Sequence, residues 1–334
     1  MTARTGTARI ALGMFARSDF VWMNGRLVAF DDARIHIGSH VIHYGSGVFE
    51  GIRCYKTPRG SAVFRLDAHT ERLFNSAKIY WMEIPWTRGE IDGAVMETVR
   101  ANRLEACYIR PVVYRGHGPM GVNPLGCPVD VAIMVWDWGK YLGSEALENG
   151  VDVCVSSWAR IAPNTLPAMA KSAGNYMNSQ LIKIEAVKGG FAEGVALDTN
   201  GYVSEGSGEN VFVVSKGTLV TPPLVSSVLP GITRDTVLAL AGRLGIPVAE
   251  KRVPREMLYL ADELFFTGTA AEITPIRTVD RLPVGNAQRG PVTAALQRAF
   301  FDVIEGRAED ELGWLTFVSG VEVTAAPRRA AKAV

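Results

Sequence analysis

Two Asn-Gly pairs constrain the fold of this 334-residue chain more than any other local feature. Asn24-Gly25 lies inside the run FVWMNGRLVAF, and Asn200-Gly201 lies between VALD and YVSE. Asn-Gly is typical of a two-residue turn between antiparallel strands, because both turn positions require a positive φ. We therefore expect a tight hairpin in each half of the chain.

Helical periods alternate with these strand-like runs. Apolar residues recur at intervals of three and four after Asp67, which we predict to be an N-cap, and the segment from Thr87 to Glu90 predicts a capping box. The segment LPGITRDTVLALAGRLG predicts a helix in which Gly231 allows an unusual backbone angle, Thr233 provides a cap and Gly245 ends the helix. The alternation indicates an α/β chain.

The length and a change of pattern after residue 136 predict two domains. The expected units are an N-terminal tail over 1–19, a small α/β domain over 20–136, a connector over 137–144, a larger domain over 145–318 and a disordered tail over 319–334.

Composition argues against several kinds of partner. A net charge of +1 gives no reason to expect nucleic acid or an anionic membrane surface, and no apolar run approaches the ~20 residues of a membrane span. The three histidines at 36, 40 and 43 have no acidic ligand at a matching spacing, so we predict no metal. The cysteines are widely spaced, without CxxC, and favour buried free thiols in a reducing cytoplasm. They are Cys54, Cys107, Cys127 and Cys154.

Lys171 lies among small residues in the segment WARIAPNTLPAMAKSAGNYMNSQL. A lysine amine condenses with carbonyl groups to form a Schiff base, and desolvation makes it nucleophilic near neutral pH. A single lysine is more often a surface charge. The hypothesis of a catalytic lysine therefore depends on other segments.

Several segments supply groups suited to a charged ligand. Glu205 ends a strand-like run beside small residues, where it is either solvated or paired with a cationic ring nitrogen. The helix start at Gly231 and the small residues after Gly268 suit phosphate. Arg110 lies within the apolar run ACYIRPVVY, so it either occupies an open face or binds a carboxylate. Arg72, taken alone, is typical of a surface arginine.

Eight motifs in sequence order resemble the fold-type IV pyridoxal-phosphate enzymes, and within them the branched-chain amino acid aminotransferases. They are HYGSGVFEGIR, HTERL, YIRP, GVNP, NTLPAMAKSAGNY, SEGSGENVF, LPGITR and FTGTAAEITP. The resemblance extends from about residue 20 to residue 314. It implies an α/β (α+β) fold of two domains, the larger C-terminal one with a barrel-like β core, and pyridoxal 5′-phosphate as cofactor.

The resemblance also implies roles for the cofactor-binding positions. Lys171 would hold the cofactor as a Schiff base and move the proton during catalysis. Glu205 would face the pyridine nitrogen, which makes the ring a stronger electron sink. The remaining positions are Arg72, Gly231, Ile232, Thr233 and Thr269 around the phosphate, Leu229 on the ring face and Tyr176 beside the ring oxygen.

The implied substrate site must accept both a branched aliphatic chain and glutamate. The backbone at Thr269-Ala270, together with Tyr108, would bind the α-carboxylate, and Arg110 would meet the distal carboxylate of glutamate. The implied apolar walls are Tyr44, Phe49, Met120, Gly121, Val122 and Tyr141. In the family, the counterparts of Tyr44 and of the 120–122 loop come from the partner subunit, which implies a homodimer or a trimer of dimers.

The predicted function is ping-pong transfer of an amino group between L-leucine, L-isoleucine or L-valine and 2-oxoglutarate. A D-amino acid or (R)-amine transaminase and an aminodeoxychorismate lyase are the alternatives within the same fold, because they share the lysine, the glutamate and the phosphate site. A ligand-binding protein without chemistry is the alternative of another class. The intact Lys171, Glu205 and Arg72 argue against it.

Overall fold

The structure is a computed structural model that describes residues 18–139, 142 and 145–318. Tyr141, the predicted C-terminal tail and most of the predicted N-terminal tail lie outside these ranges. Two β-sheets with flanking helices form the described chain. We propose that residues 137–144 connect two domains, because the first sheet receives its last consecutive strand at Trp136 and the second begins at Val151.

The first sheet is antiparallel throughout. Its strands are β1 (Phe20–Met23), β2 (Arg26–Ala29), β3 (Gly47–Phe49), β4 (Ile52–Thr57), β5 (Gly60–Phe64), β6 (Cys107–Arg115), β7 (Val129–Trp136) and, from the other end of the chain, β17 (Leu315–Phe317). Their spatial order is β17-β5-β4-β6-β7-β1-β2, and β3 also pairs with β6. The last described strand therefore returns to the first sheet.

Helices α1 (His40–Tyr44), α2 (Leu66–Ile79) and α3 (Arg88–Ala101) belong to this half of the chain. The predicted capping box at Thr87 is confirmed, since its side chain and that of Glu90 bond each other's backbone N–H groups. The predicted N-cap at Asp67 is wrong. Helix α2 follows Arg65, whose φ is 52° and whose N–H donates to the carbonyl of Trp314, so a distant segment fixes this helix start.

The second sheet is mixed, and its consecutive strands are not always neighbours. They are β8 (Val151–Val155), β9 (Glu193–Leu197), β10 (Val203–Gly206), β11 (Asn210–Ser215), β12 (Thr218–Thr221), β13 (Val248–Glu250), β14 (Glu263–Gly268), β15 (Glu272–Val279) and β16 (Leu282–Pro283). The order is β10-β9-β8-β15-β14-β11-β12-β13, with β16 beside β15. Strand β8 is parallel to β9 and β15, and β12 is parallel to β13.

This sheet must curl, as the short connection from β10 to β11 requires. Four strands separate these two in the sheet, so a flat sheet would place them about 24 Å apart. Residues 207–209 alone join them, and that segment spans at most about 14 Å. The curled sheet is the barrel-like β core that was predicted.

The helices of the second half are α4 (Ala146–Asn149), α5 (Tyr176–Lys188), α6 (Ile232–Arg243), α7 (Glu256–Leu260) and α8 (Pro291–Ile304). Helices α6 and α8 cover a core that contains the stacked rings of Phe212 and Phe265, with centroids 5.1 Å apart, together with Leu240 and Phe300. The predicted end of α6 at Gly245, where φ is 68°, is confirmed.

The two predicted hairpins have different turns. Asn24 and Gly25 have φ of 48° and 92°, as a two-residue Asn-Gly turn requires. The second prediction is wrong in turn length, because the N–H of Asp198 donates to the carbonyl of Tyr202 and leaves a loop of residues 199–201. The Asp198 carboxylate accepts from the N–H groups of Asn200 and Tyr202, and this side chain stabilises the longer turn.

Candidate active site

One cavity of about 980 Å³, continuous with solvent, is lined by residues of both sheets. It brings together most of the predicted site residues. They are Phe49, Arg72, Tyr108, Arg110, Lys171, Tyr176, Glu205, Leu229, Gly231, Ile232, Thr233, Thr269 and Ala270.

Lys171 lies between β8 and α5, and its backbone is fixed from two sides. Its N–H donates to the hydroxyl of Ser76, and its carbonyl accepts from the N–H of Phe49, both at 3.0 Å. Its amine donates to the hydroxyl of Tyr176 at 2.6 Å and lies 5.2 Å from the centre of the Phe49 ring. The position of the amine in the cavity is therefore defined by these contacts.

Glu205 in β10 is a buried carboxylate of the same cavity. It accepts from Arg160 Nη2 at 2.8 Å, from Asn210 Nδ2 at 3.0 Å and from the N–H of Leu229 at 3.0 Å. Burial raises the pKa of Glu205 above its ordinary value, despite the nearby charge of Arg160. A cation that enters the cavity would favour its ionised form.

Helix α6 begins at the cavity without a side-chain cap, so the predicted cap by Thr233 is wrong. Gly231 has an ordinary φ of −70°, so the predicted unusual backbone angle is also wrong. Glycine is needed there for a different reason, because a Cβ atom would overlap Oδ1 of Asn210. The uncapped first turn at Ile232 and Thr233 leaves N–H donors and the positive end of the helix dipole for an anion.

Arg72 in α2 is held by Glu50, a fully buried residue to which the sequence analysis assigned no role. Arg72 Nε and Nη2 donate to the two Glu50 oxygens at 2.6 and 2.8 Å, and Nη1 donates to the carbonyl of Pro230 at 2.9 Å. His69 Nδ1 lies 2.7 Å from Glu50 Oε2. Burial alone would raise the pKa of Glu50, but Arg72 and His69 hold it well below its usual range. Two of the five Arg72 N–H groups remain for a ligand.

Arg110 in β6 is surrounded by aromatic rings. Its guanidinium carbon lies 4.7 Å from the ring centre of Phe49 and 5.4 Å from that of Tyr108. Its Nε is buried and has no hydrogen-bond acceptor among the described residues. A buried donor of this kind is costly, so its place in the cavity favours the ligand-binding interpretation of Arg110.

Arg53 supports the turn that follows β14. Its Nε donates to the carbonyl of Thr269 at 2.9 Å, and its Nη2 donates to that of Ala270 at 3.1 Å. Gly51 leaves room for the hydroxyl of Tyr108, which a Cβ atom would overlap. Arg53 of β4 thus holds the turn at Thr269-Ala270 that is predicted to bind a carboxylate.

Four predicted substrate residues lie outside the cavity of the single chain. Tyr44 and Val122 are 45% and 86% exposed, and Met120 and Gly121 lie in the same exposed loop as Val122. His40 joins these two regions, since its Nε2 is 2.9 Å from the carbonyl of Gly121 and its ring is 4.4 Å from that of Tyr44. They therefore form one surface.

A comparison with protein families identifies the chain. The model described as "Amino-transferase class IV" matches residues 47–279, which is more than half of the chain. The chain belongs to this family. The predicted family and the predicted α/β fold class are therefore confirmed.

Relatives of this class IV aminotransferase cover nearly all of it. It is 52% identical to the branched-chain-amino-acid aminotransferase of Escherichia coli (strain K12) over 304 residues, 91% of this chain and 98% of that protein. A crystal structure of the E. coli enzyme matches with a TM-score of 0.89 and 52% identity, over 90% of this chain and 100% of that one. A crystal structure of the "T.th." branched-chain amino acid aminotransferase complexed with N-(5′-phosphopyridoxyl)-L-glutamate matches with a TM-score of 0.87 and 44% identity, over 91% of this chain and 99% of that one.

Metal-binding groups and membrane-spanning helices can be considered for the part of this class IV aminotransferase that the structure describes. Within it, no group of three His, Cys, Asp or Glu side chains is placed to hold a metal ion. No helix of residues 18–139, 142 and 145–318 is long and apolar enough to cross a membrane.

Sequence reasoning missed several supporting residues of the aminotransferase site: Glu50, Arg53, Arg160 and Asn210. Glu50 and Arg53 lie in GVFEGIR, a motif that was noticed but given no chemical role. The three-residue spacing of His69 and Arg72 places both on one face of α2 and was a usable signal for a shared partner. Asn210 lies in the quoted motif SEGSGENVF but was given no role, and Arg160 gave no local signal, because its contact with Glu205 depends on the tertiary fold.

Proposed function

We infer that this class IV aminotransferase transfers amino groups between L-leucine, L-isoleucine or L-valine and 2-oxoglutarate, with pyridoxal 5′-phosphate as cofactor. The E. coli relative is a branched-chain-amino-acid aminotransferase, and the T.th. relative is complexed with a phosphopyridoxyl derivative of L-glutamate. The observation that carries the inference is that one cavity joins the Lys171 amine, the buried Glu205 carboxylate and Arg110.

The residues of the cavity fit this cofactor. When bound, the cofactor supplies a cationic pyridine ring that accepts electron density from the substrate Cα. Glu205 is proposed to bind the ring nitrogen, and Leu229 to pack on the ring face. The proposed phosphate ligands are two N–H groups of Arg72, the first turn of α6 and Thr269.

Lys171 is proposed to hold the cofactor covalently and then to act as the base. Its Nζ would take the proton from the substrate Cα and return it at the C4′ side of the cofactor. The bond from Lys171 Nζ to the Tyr176 hydroxyl supports this role, because it holds the amine between the tyrosine and the Phe49 ring. Tyr176 is also suited to bind the ring oxygen.

One pocket can accept two kinds of substrate side chain because aromatic rings form its walls and Arg110 lies against those rings. The rings of Phe49 and Tyr108 exclude water from an aliphatic side chain. Arg110 rests on these rings and can donate to the distal carboxylate of 2-oxoglutarate. The turn at Thr269-Ala270, held by Arg53, is proposed to bind the α-carboxylate with Tyr108.

We further propose that the active site is completed in a homodimer. Tyr44, Met120 and Val122 are exposed in the single chain, Gly121 is half-buried, and His40 contacts both regions, so they can line a partner's pocket. Tyr141, outside the described residues, stays a predicted wall.

The exposed side of α5 provides independent support for self-association. Met177, Leu181 and Ile184 are 63%, 39% and 49% exposed, at spacings of four and three residues that place them on one face of the helix. An apolar stripe of this kind is typical of a subunit interface. Sedimentation velocity of the purified protein tests the proposed dimer and distinguishes it from a trimer of dimers.

A cytoplasmic location is also part of the proposal. All four cysteines are free and buried, which suits a reducing compartment. The alternatives of a D-amino acid or (R)-amine transaminase and of a lyase are less well supported, because the relatives named above are branched-chain aminotransferases.

An absorbance titration tests the function directly. We expect the purified protein with pyridoxal phosphate to have a yellow band that bleaches with L-leucine and returns with 2-oxoglutarate. Lys171→Ala should remain folded but lose this cycle. A band that ignores L-leucine and responds to D-alanine or an (R)-amine would move the activity to the alternative, and substantial turnover by Lys171→Ala would refute the assigned lysine.

A further inference from the structure

The hydroxyl of Thr267 in β14 makes no hydrogen bond with the described residues. Thr267 is among the residues that line the cavity, and its hydroxyl is fully buried. Other buried threonine hydroxyls in this half of the chain are paired, such as Thr221 with the carbonyl of Val211 and Thr236 with that of Ile232, both at 2.9 Å. Thr267 is thus an exception that requires a physical reason.

Strand register defines which face of the sheet carries the Thr267 side chain. Thr267 is directly opposite Asn210 in the antiparallel pair of β14 and β11, so the two side chains share one face of the sheet. Asn210 Nδ2 donates to the carbonyl of Leu229, and Asn210 Oδ1 occupies the space beside Gly231. The Thr267 side chain therefore lies beside Asn210, next to the start of α6.

A phosphate group at this helix start can accept a further donor beyond the assigned residues. Arg72 uses part of its guanidinium on Glu50 and Pro230, as described above. A phosphate dianion has three terminal oxygens, each able to accept more than one hydrogen bond. An unpaired hydroxyl inside the cavity supplies the type of donor that such a group requires.

We propose that Thr267 is an additional binding residue for the cofactor phosphate, with its Oγ1 donating to a phosphate oxygen. This inference rests on the proposed placement of pyridoxal phosphate in the cavity. The hydroxyl is unfavourable in the empty protein and becomes satisfied when the phosphate arrives. Its contribution therefore belongs to cofactor affinity and not to the stability of the apoprotein.

The decisive variant is Thr267→Val, which keeps the shape and removes the hydroxyl. We expect the dissociation constant of pyridoxal phosphate to rise about 10-fold or more, because a hydrogen bond to a charged group is lost. The melting temperature of the apoprotein should not fall, since no internal bond is broken. Thr267→Ser should restore affinity, and inorganic phosphate should raise the apoprotein melting temperature less in Thr267→Val than in the unchanged protein.

Thr221→Val is the matched control, because it removes a buried hydroxyl that is already paired. It should lower the apoprotein melting temperature and leave the affinity for pyridoxal phosphate unchanged. The proposal is overturned if Thr267→Val binds pyridoxal phosphate as tightly as the unchanged protein. It is also overturned if the Thr267→Val apoprotein melts at a lower temperature, which is the result expected for Thr221→Val. Weaker cofactor binding with an unchanged response to inorganic phosphate would also overturn it, since the hydroxyl would then serve the ring. If the unchanged protein binds no pyridoxal phosphate, it is the proposed function that fails.

Discussion

Two buried arginine–glutamate pairs, each with its arginine at the cavity, differ in geometry. Arg72 and Glu50 form a two-pronged pair through Nε and Nη2, at 2.6 and 2.8 Å. Arg160 meets Glu205 through Nη2 alone, at 2.8 Å, and its Nε has no partner among the described residues. The pKa of Glu50 is lowered by its partners against the effect of burial, whereas burial raises the pKa of Glu205.

This difference separates a structural charge from a charge that is available to a ligand. Glu50 contacts both Arg72 and His69 and is not among the residues that line the cavity, so it fixes the arginine before any phosphate arrives. Glu205 accepts three hydrogen bonds and keeps a lone-pair site on Oε1 for a further donor. A carboxylate in this state suits the protonated ring nitrogen of the proposed cofactor.

The largest expected effect comes from removing the arginine of each pair. Arg72→Met leaves Glu50 as a buried charge without its main partner, and we expect the free energy of unfolding of the apoprotein to fall by about 3–5 kcal/mol. Arg160→Met should cost less, about 1–3 kcal/mol, because Glu205 keeps two N–H donors and takes up a proton more readily. Urea unfolding at pH 7.5 measures both.

The double variant Arg72→Met with Glu50→Leu is the control for the first pair. Replacing both charges with apolar groups should recover much of the lost stability. Equal losses for Arg72→Met and Arg160→Met would remove the distinction between the two pairs.

Arg110 sharpens the comparison, because it is a third arginine of the cavity that rests on Phe49 instead of on a carboxylate. Arg110→Met should leave the free energy of unfolding nearly unchanged. It should lower kcat/KM for 2-oxoglutarate roughly 30-fold, which corresponds to a loss of about 2 kcal/mol of transition-state stabilisation. The kcat/KM for L-leucine should fall much less. Steady-state kinetics of each half-reaction measure this, and equal losses on both substrates would make Arg110 a structural residue.

Local features of the fold could be predicted from the sequence, but the two buried arginine–glutamate pairs could not. The Asn24-Gly25 turn, the Thr87 capping box and the end of α6 at Gly245 follow from a few adjacent residues. The start of α2 does not, because Arg65 and Trp314 are far apart in the sequence.

The site divides in the same way. Lys171, Glu205 and Arg72 were predicted because motifs carry them, and all three line one cavity. Glu50 and Arg160 were missed, because a buried ion pair between distant residues leaves no periodic pattern in the sequence. The spacing of His69 and Arg72 was a usable signal for Glu50, and the signal of a charged residue among apolar neighbours was applied to Arg110 alone.

The smallest expected effect is the opposite pH dependence of the two carboxylates. Both have an ordinary pKa of 4.5. The lowered folded-state pKa of Glu50 means that its stabilising contribution is complete above pH 4.5 and is lost as the pH falls through the folded-state value. Glu205 has a raised folded-state pKa, so stability is lost as the pH rises from 4.5 to that value.

The test compares unfolding free energies of the apoprotein with those of Glu50→Gln and Glu205→Gln between pH 3.5 and pH 7. The difference in free energy of unfolding between the unchanged protein and Glu50→Gln should decrease as the pH falls below 4.5, with a slope of at most about 1.4 kcal/mol per pH unit. Relative to Glu205→Gln, the unchanged protein should instead lose stability above pH 4.5. If the difference in unfolding free energy from the unchanged protein changes with pH in the same way for both variants, the geometry of the ion pairs does not control the charge of either carboxylate. Curves of opposite slope would assign Glu50 to the fixed frame of the site and Glu205 to the charge that responds to a ligand.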